Sequence, residues 1–305
     1  MFGGTALAAL PIREVRAAPL IPLRLGAMAI DTAGEAFYAI DKGFFTAAGL
    51  DVTLTILNNG SAIAAATSSG ALDIGFGSPS PVMLAHVSGL PVMFVAPAAI
   101  YNGTPNSVLM VAKDAPYSSA ADLTGKAVAL SGLHDLTQYV LEKWIDSNGG
   151  TASAVGFVEV PYAQMGEALA TGRVAAAVAI EPFITQMRGS ARVFGNFNAA
   201  IGNRFLVAGW FAMAPWIEQN REAVRRFTLA MRQTARWANT HQTESAAILV
   251  RYTKMDASTL ATMHRAHFED GPSLDPELIQ PIIDAMVKYG NVTPVAAGDL
   301  IWAPH

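Results

Sequence analysis

From residue 23 to residue 214, short apolar runs alternate with stretches of helical periodicity. That alternation constrains the fold more than any other feature of the chain. Leu23 to Ile30 (LRLGAMAI), Leu72 to Phe76 (LDIGF) and Pro91 to Ile100 read as buried strands, and Asp51 to Leu57 (DVTLTIL) as a half-buried one. Between them lie Gly34 to Leu50, apolar at helical spacing, and a small-residue helix capped by Ser61 and running to Ser69. A third helix, Ser80 to Ser88, follows Pro79. Strands alternating with helices pair in parallel, and a strand apolar on both sides needs cover on both faces. The first hundred residues therefore predict a largely parallel sheet between two helical layers.

Turn residues interrupt the pattern at Tyr101 to Asn106 (YNGTPN), and a second set follows. Ser107 to Lys113, Lys126 to Leu130, Val155 to Val160 and Val174 to Ile180 read as strands. Leu133 to Asn148 and Ala163 to Ala170 read as helices. Arg204 to Ala214 (RFLVAGWFAMA) is one more long apolar strand. The rest reads as helical: Trp216 to Thr240, Glu244 to Tyr252, Ser258 to Phe268 and Pro276 to Tyr289. The economical arrangement is an α/β chain of two lobes, with residues 18–101 plus 209–305 forming the first and residues 102–208 inserted as the second. Two crossover strands and a helical C-terminal tail complete it. Such a pair leaves a cleft that hinge closure can shut on a small ligand.

Composition removes several classes of function. The 305 residues include no cysteine, which excludes disulfides, thiolate metal sites, cysteine nucleophiles and a lipoprotein anchor. The net charge of −4 leaves no electrostatic footprint for nucleic acid. No apolar run approaches the roughly 20 residues that span a bilayer. Residues 1–17 hold an apolar stretch followed by Val15-Arg16-Ala17, small residues placed as before a signal-peptidase cut. They are expected to be the remnant of an export leader, the alternative being a tail outside the fold.

No catalytic motif is complete. Gly125-Lys126 lacks the rest of a phosphate loop, and Gly77-Ser78-Pro79-Ser80 has the wrong frame for a nucleophile elbow. His264 and His267 have helical metal spacing but no third ligand, so a solvated face is the expectation. No cofactor or metal is called for. What the strand ends do carry is polar residues, where open α/β sheets bind ligands. After the first strand come Asp31 and Thr32, a helix cap or a ligand contact. Ser78 follows the third strand, Tyr101 stands at the crossover, and Ser131 and His134 precede the long helix. Glu181 closes a strand of Ala, Val and Ile, where burying a charge without a partner would be costly. Trp210 on the returning strand reads equally as an aromatic wall or as core.

Four blocks carry a resemblance. Ala36 to Val52 (AFYAIDKGFFTAAGLDV) resembles A-x-x-x-G-F-F-x-x-x-G-L-x-V. Gly70 to Gly75 (GALDIG) resembles G-x-L-D-I-G. Residues 168–182 (ALATGRVAAAVAIEP) resemble A-L-x-x-G-x-V-D-A-x-x-x-x-E-P, and Asp122 to Lys126 (DLTGK) resembles D-L-K-G-K. As a set they resemble the substrate-binding proteins of nitrate/sulfonate/taurine and thiamine-pyrimidine ABC importers. The resemblance implies a two-lobe type II periplasmic-binding-protein fold, capture of a small molecule by lobe closure, and delivery to a membrane permease by a periplasmic monomer. It implies ligand contacts from Asp31, Phe37, Ser78, Tyr101, Ser131, His134, Glu181 and Trp210. An enzymatic branch, the pyrimidine synthase of thiamine biosynthesis, depends on a cysteine-rich motif that this chain lacks.

No lysine or arginine stands out at these strand ends, whereas two carboxylates do. Asp31 and Glu181 would accept hydrogen bonds from an ammonium or ring N–H, and Phe37, Tyr101 and Trp210 would stack a ring. The expected cargo is a taurine-like or pyrimidine-like solute, with an aromatic acid held by His134 left open. The competing readings are an enzyme on the same fold, with His134 or Glu181 as base, and a cytoplasmic ligand sensor.

Overall fold

The computed structural model describes residues 19–105 and 107–303. The leader expected over residues 1–17 lies outside them. Thirteen strands occur among the described residues: β1 (Ile21–Ala27), β2 (Leu50–Ile56), β3 (Ile74–Gly77), β4 (Val92–Pro97), β5 (Ala99–Tyr101), β6 (Ser107–Ala112), β7 (Ala127–Leu130), β8 (Gly156–Glu159), β9 (Ala176–Ile180), β10 (Ala191–Gly195), β11 (Phe205–Leu206), β12 (Gly209–Met213) and β13 (His267–Phe268). They form two five-stranded sheets and a three-stranded one, ordered β2-β1-β3-β12-β4, β10-β6-β9-β7-β8 and β11-β5-β13.

The two large sheets repeat one plan. In the first, β1 is parallel to β2 and β3, and β12 enters antiparallel between β3 and β4. In the second, β7 is parallel to β8 and β9, and β6 lies antiparallel between β9 and β10. The central strands β3 and β9 are buried on both faces, as their unbroken apolar sequences predict. Both sheets are thus mixed, and each takes its antiparallel member from the chain's passage between them.

Several expected elements break where the chain must turn. The helix predicted from Gly34 to Leu50 becomes Gly34–Asp41 and Phe44–Ala47, because Gly43 takes a left-handed φ of 72°. The long strands predicted at Pro91–Ile100 and Arg204–Ala214 each split in two, since their halves belong to different sheets. Asn59, not Ser61, caps the helix Gly60–Ser68 through a 2.8 Å bond from the Ala62 N–H. The helix expected from Leu133 starts at Leu136, because His134 at φ 59° stands outside helical space. The helix expected over Ser258–Phe268 stops at Thr262, and His267–Phe268 joins the small sheet against β5. Strand β10 was not anticipated at all.

Helix Arg221–Thr240 shows the packing logic. Ala223, Val224, Phe227, Ala230, Met231, Thr234, Ala235 and Ala238 recur at helical spacing and are buried, while its arginines face outward. The C-terminal helix Gln280–Gly290 does not stay with the first sheet as expected. It packs against Leu136–Ser147 over the second sheet and against Pro79–Val87 over the first, so one continuous apolar cluster runs through both lobes.

Gly43 gives a clean test, because a Cβ there would meet no atom within 4 Å. Gly43→Ala should lose about 1–2 kcal/mol in urea unfolding, from the left-handed backbone alone. Gly60→Ala, equally unobstructed but in helical geometry, should be neutral or stabilising.

Candidate functional site

Asp31 opens a 3-10 turn directly after β1 and is 3% exposed. Its Oδ1 accepts from Arg265 Nε at 3.0 Å, and its Oδ2 accepts from the Ala266 N–H at 2.6 Å. Arg265 Nη2 also donates to the Tyr38 hydroxyl at 2.7 Å. Glu181, at the end of β9, is equally buried. It accepts from the Thr185 N–H and hydroxyl, each at 3.1 Å, and from the His264 N–H at 3.3 Å, with Arg188 Nη2 at 3.9 Å. The expectation that these two carboxylates receive a ligand's N–H groups is therefore revised. In this structure the protein supplies their donors, and residues 264–266 contribute to each: Arg265 and Ala266 to Asp31, His264 beside Thr185 to Glu181.

Three aromatic expectations are also revised. Trp210 has no exposed surface; it sits edge-on to Phe76 and Phe227 and donates through Nε1 to Glu35 Oε2 at 3.1 Å. Of the two roles weighed for it, core is the one observed. Phe37 is buried and stacked on Tyr252 with centroids 4.7 Å apart. Tyr101 is packed at the crossover against Phe205, 5.1 Å away, and its hydroxyl accepts from Asn196 Nδ2. Burial consumes the ring faces that would have stacked a ligand.

The remaining predicted residues keep accessible polar groups. Ser78 is the half-buried N-cap of helix Pro79–Val87, and its side chain makes no capping bond. Ser131 is half-buried after β7, and His134 is exposed, its N–H donating to Gln138 Oε1 at 2.8 Å. Beside them stand residues the sequence reading did not single out. Tyr162, after β8, stacks on Phe183, after β9, with centroids 5.5 Å apart at an interplanar angle of 17°. Both rings are partly exposed. Ser131 and Asp135 lie beside the Tyr162 hydroxyl. The strand-end rule that selected Ser131 and Glu181 also points to Tyr162 and Phe183. Arg265 left no such signal, because it fell inside a segment read as helix.

Asp135 caps helix Leu136–Ser147 by accepting from the Gln138 N–H at 3.2 Å. Burial nevertheless pushes its carboxyl from 3.8 up to about 6, against the backbone hydrogen bonds from Gln138 and Thr137. Burial likewise raises the Tyr162 hydroxyl well above the usual tyrosine range, so it stays a donor. The cluster thus holds two stacked, partly exposed rings beside two hydroxyls and a carboxyl raised to about 6. Glu35, fully buried with Oε1 unpartnered, is held well above the carboxylate range by desolvation; it belongs to the core.

Two outcomes follow. The folded Asp135 holds its proton to higher pH than the unfolded one. Stability should therefore fall as pH rises through the window from 3.8 to about 6. Asp135→Asn keeps a capping oxygen. It should gain up to about 3 kcal/mol above that window and nothing below it, by urea unfolding at each pH. Trp210→Phe removes the donor to Glu35 and should cost about 1–3 kcal/mol, while ligand affinity stays unchanged.

Solved structures with low sequence identity share the fold. A ligand-binding component of an ABC-type import system from Staphylococcus aureus superposes with a TM-score of 0.79 at 14% identity, covering 92% of this chain and 96% of that one. The periplasmic aliphatic sulphonate binding protein of Escherichia coli gives 0.74 at 17%, covering 93% and 92%. A desulfurization enzyme gives 0.69 at 18%, covering 93% and 97%. The two-lobe periplasmic-binding-protein fold is therefore this chain's fold, and that fold houses binding proteins and an enzyme alike. In sequence, the chain is 29% identical over 142 residues to the formylaminopyrimidine-binding protein of Halalkalibacterium halodurans. That match spans 47% of this chain and less than half, 42%, of that relative. The family model described as NMT1/THI5 like matches residues 33–245, well over half of the sequence, and the chain belongs to that family.

Proposed function

We propose that this protein is the solute-binding component of an ABC importer, working outside the cytoplasmic membrane. It captures a small organic solute between its lobes and hands it to a membrane permease. Two lobes joined by crossover strands suit capture by closure, in which the ligand favours the closed arrangement by contacting both sides. Among the described residues no helix is long and apolar enough to cross a membrane; in this reading a separate permease carries the solute across.

The observation that carries the cargo reading is the stacked pair Tyr162–Phe183 with Ser131 and Asp135 beside it. A planar ring extends such a stack, at offsets aromatic pairs favour. The hydroxyls and the carboxyl meet ring nitrogens and an exocyclic amine. Of the two solute classes expected from the sequence, the pyrimidine-like one fits this cluster better than the sulfonate-like one, whose charge asks for a cation. The printed name of the curated relative, a formylaminopyrimidine-binding protein, supports the same choice.

The test is a thermal-shift and calorimetry screen of aminopyrimidines, taurine, an alkanesulfonate and nitrate. A ligand at 100 times its dissociation constant adds about 2.7 kcal/mol to stability. Aminopyrimidines should bind and be recovered unchanged, and Tyr162→Ala should weaken them roughly tenfold or more. Shifts from taurine or sulfonate alone would move the cargo to that class. Conversion of a bound compound to product would replace transport by catalysis on this fold.

A further inference from the structure

A cavity of about 410 Å³ is lined chiefly by the second lobe, and neither Tyr162, Phe183 nor any of the eight predicted ligand contacts lines it. Its volume falls in the range of small-molecule sites. Val108 and Met110 of β6, Ile184 of the helix Phe183–Met187, and Val193 of the edge strand β10 supply apolar walls. Val193 is 53% exposed, an apolar side chain left open at the sheet edge. The charged lining is of one sign, Arg188 and Arg192, with His264 and Asn196 beside them and no carboxylate.

The partners of these groups leave room for a ligand. Arg188 Nη1 donates to the Thr262 carbonyl at 3.4 Å, and Nη2 lies 3.9 Å from Glu181, which already accepts from Thr185 and His264. A guanidinium carries five N–H donors, so this one has donors to spare. Arg192 donates to the Ala115 and Tyr117 carbonyls and is ion-paired to no carboxylate among the described residues. Asn196 holds the Tyr101 hydroxyl with one end of its amide, and the other end is buried without a partner. Buried amide ends rarely go unpaired. The amide can sit either way round, and with Tyr101 as donor the free end becomes an NH2.

We infer that this cavity is a second ligand site, for an organic carboxylate with an apolar tail: the tail lies along Val108, Met110, Ile184 and Val193, and the carboxylate meets Arg188. A carboxylate matches the guanidinium fork, and two positive residues with no acidic one on the wall set the sign of the charge. The inference does not rest on the proposed transport function. His264, from the segment that also holds Asp31, completes the wall, so a ligand that fills the cavity lies against both lobes and favours this arrangement of them.

Calorimetry with octanoate, octanol and acetate tests it on the intact protein. Octanoate should bind, with octanol and acetate each at least roughly tenfold weaker, about 1.4 kcal/mol. Arg188→Gln should weaken octanoate by a similar factor. Val193→Glu, at an exposed position that folding does not depend on, should do the same by placing a carboxylate at the mouth. Tyr162→Ala should leave octanoate unaffected, which separates this site from the cleft. The inference is overturned if octanoate does not bind, if octanol binds equally well, if Val193→Glu has no effect, or if Tyr162→Ala abolishes the binding.

Discussion

A carboxylate taken out of water must find its donors inside the protein, and here two of them depend on one stretch of chain. Asp31 opens the turn that follows the first strand of the first lobe, and Glu181 comes directly after the central strand of the second. Arg265 and the Ala266 N–H serve Asp31, and the His264 N–H joins Thr185 in serving Glu181. Removing one partner from such a pair leaves an uncompensated buried charge, which costs far more than the pair gains when intact. The course of residues 262–266 is therefore tied to both sheets, and so is the placement of the small sheet that follows at β13. The same requirement explains why the helix stops at Thr262: a continued helix would have kept these N–H groups for itself.

The two large sheets repeat one strand order, each completed by an antiparallel strand that the chain contributes on its way between lobes. That shared plan puts the ends of β7, β8 and β9 at one edge of the second lobe, and Ser131, Tyr162 and Phe183 with them. The C-terminal helix Gln280–Gly290 packs over helices of both lobes, so the apolar core does not respect the lobe boundary. Motion between lobes has to slide or carry this helix, which favours a few discrete arrangements over a loose hinge.

The site follows the same physics. Rings expected to face a ligand, Phe37 and Trp210, lie at strand or helix positions whose side chains point into the first lobe, where apolar burial is worth more than exposure. Rings at strand ends, Tyr162 and Phe183, stay partly open because the helices that follow them turn the chain away from the core. Asp135 stays at the helix start for its capping bond and accepts a raised carboxyl as the consequence. Recognition by stacking and hydrogen bonding, with no cation in the cluster, is what this arrangement offers.

Much of the architecture was legible in the sequence. The alternation of apolar runs with helical stretches dictated two α/β lobes, and the run Ala176–Ile180, apolar on both faces, marked the centre of the second sheet. Strand ends singled out Ser78, Ser131 and Glu181, and the structure places each directly after a strand, β3, β7 and β9. The family blocks around Gly43, Asp73 and Glu181-Pro182 pointed to the fold by residue type and spacing alone. Tertiary structure decided what periodicity does not encode: where long strands split between sheets, that Gly43 and His134 leave helical space, and that Arg265 reaches 234 residues back to Asp31. Local patterns record which side of an element is apolar. They do not record which distant donor a buried carboxylate will find, because that depends on how the whole chain closes.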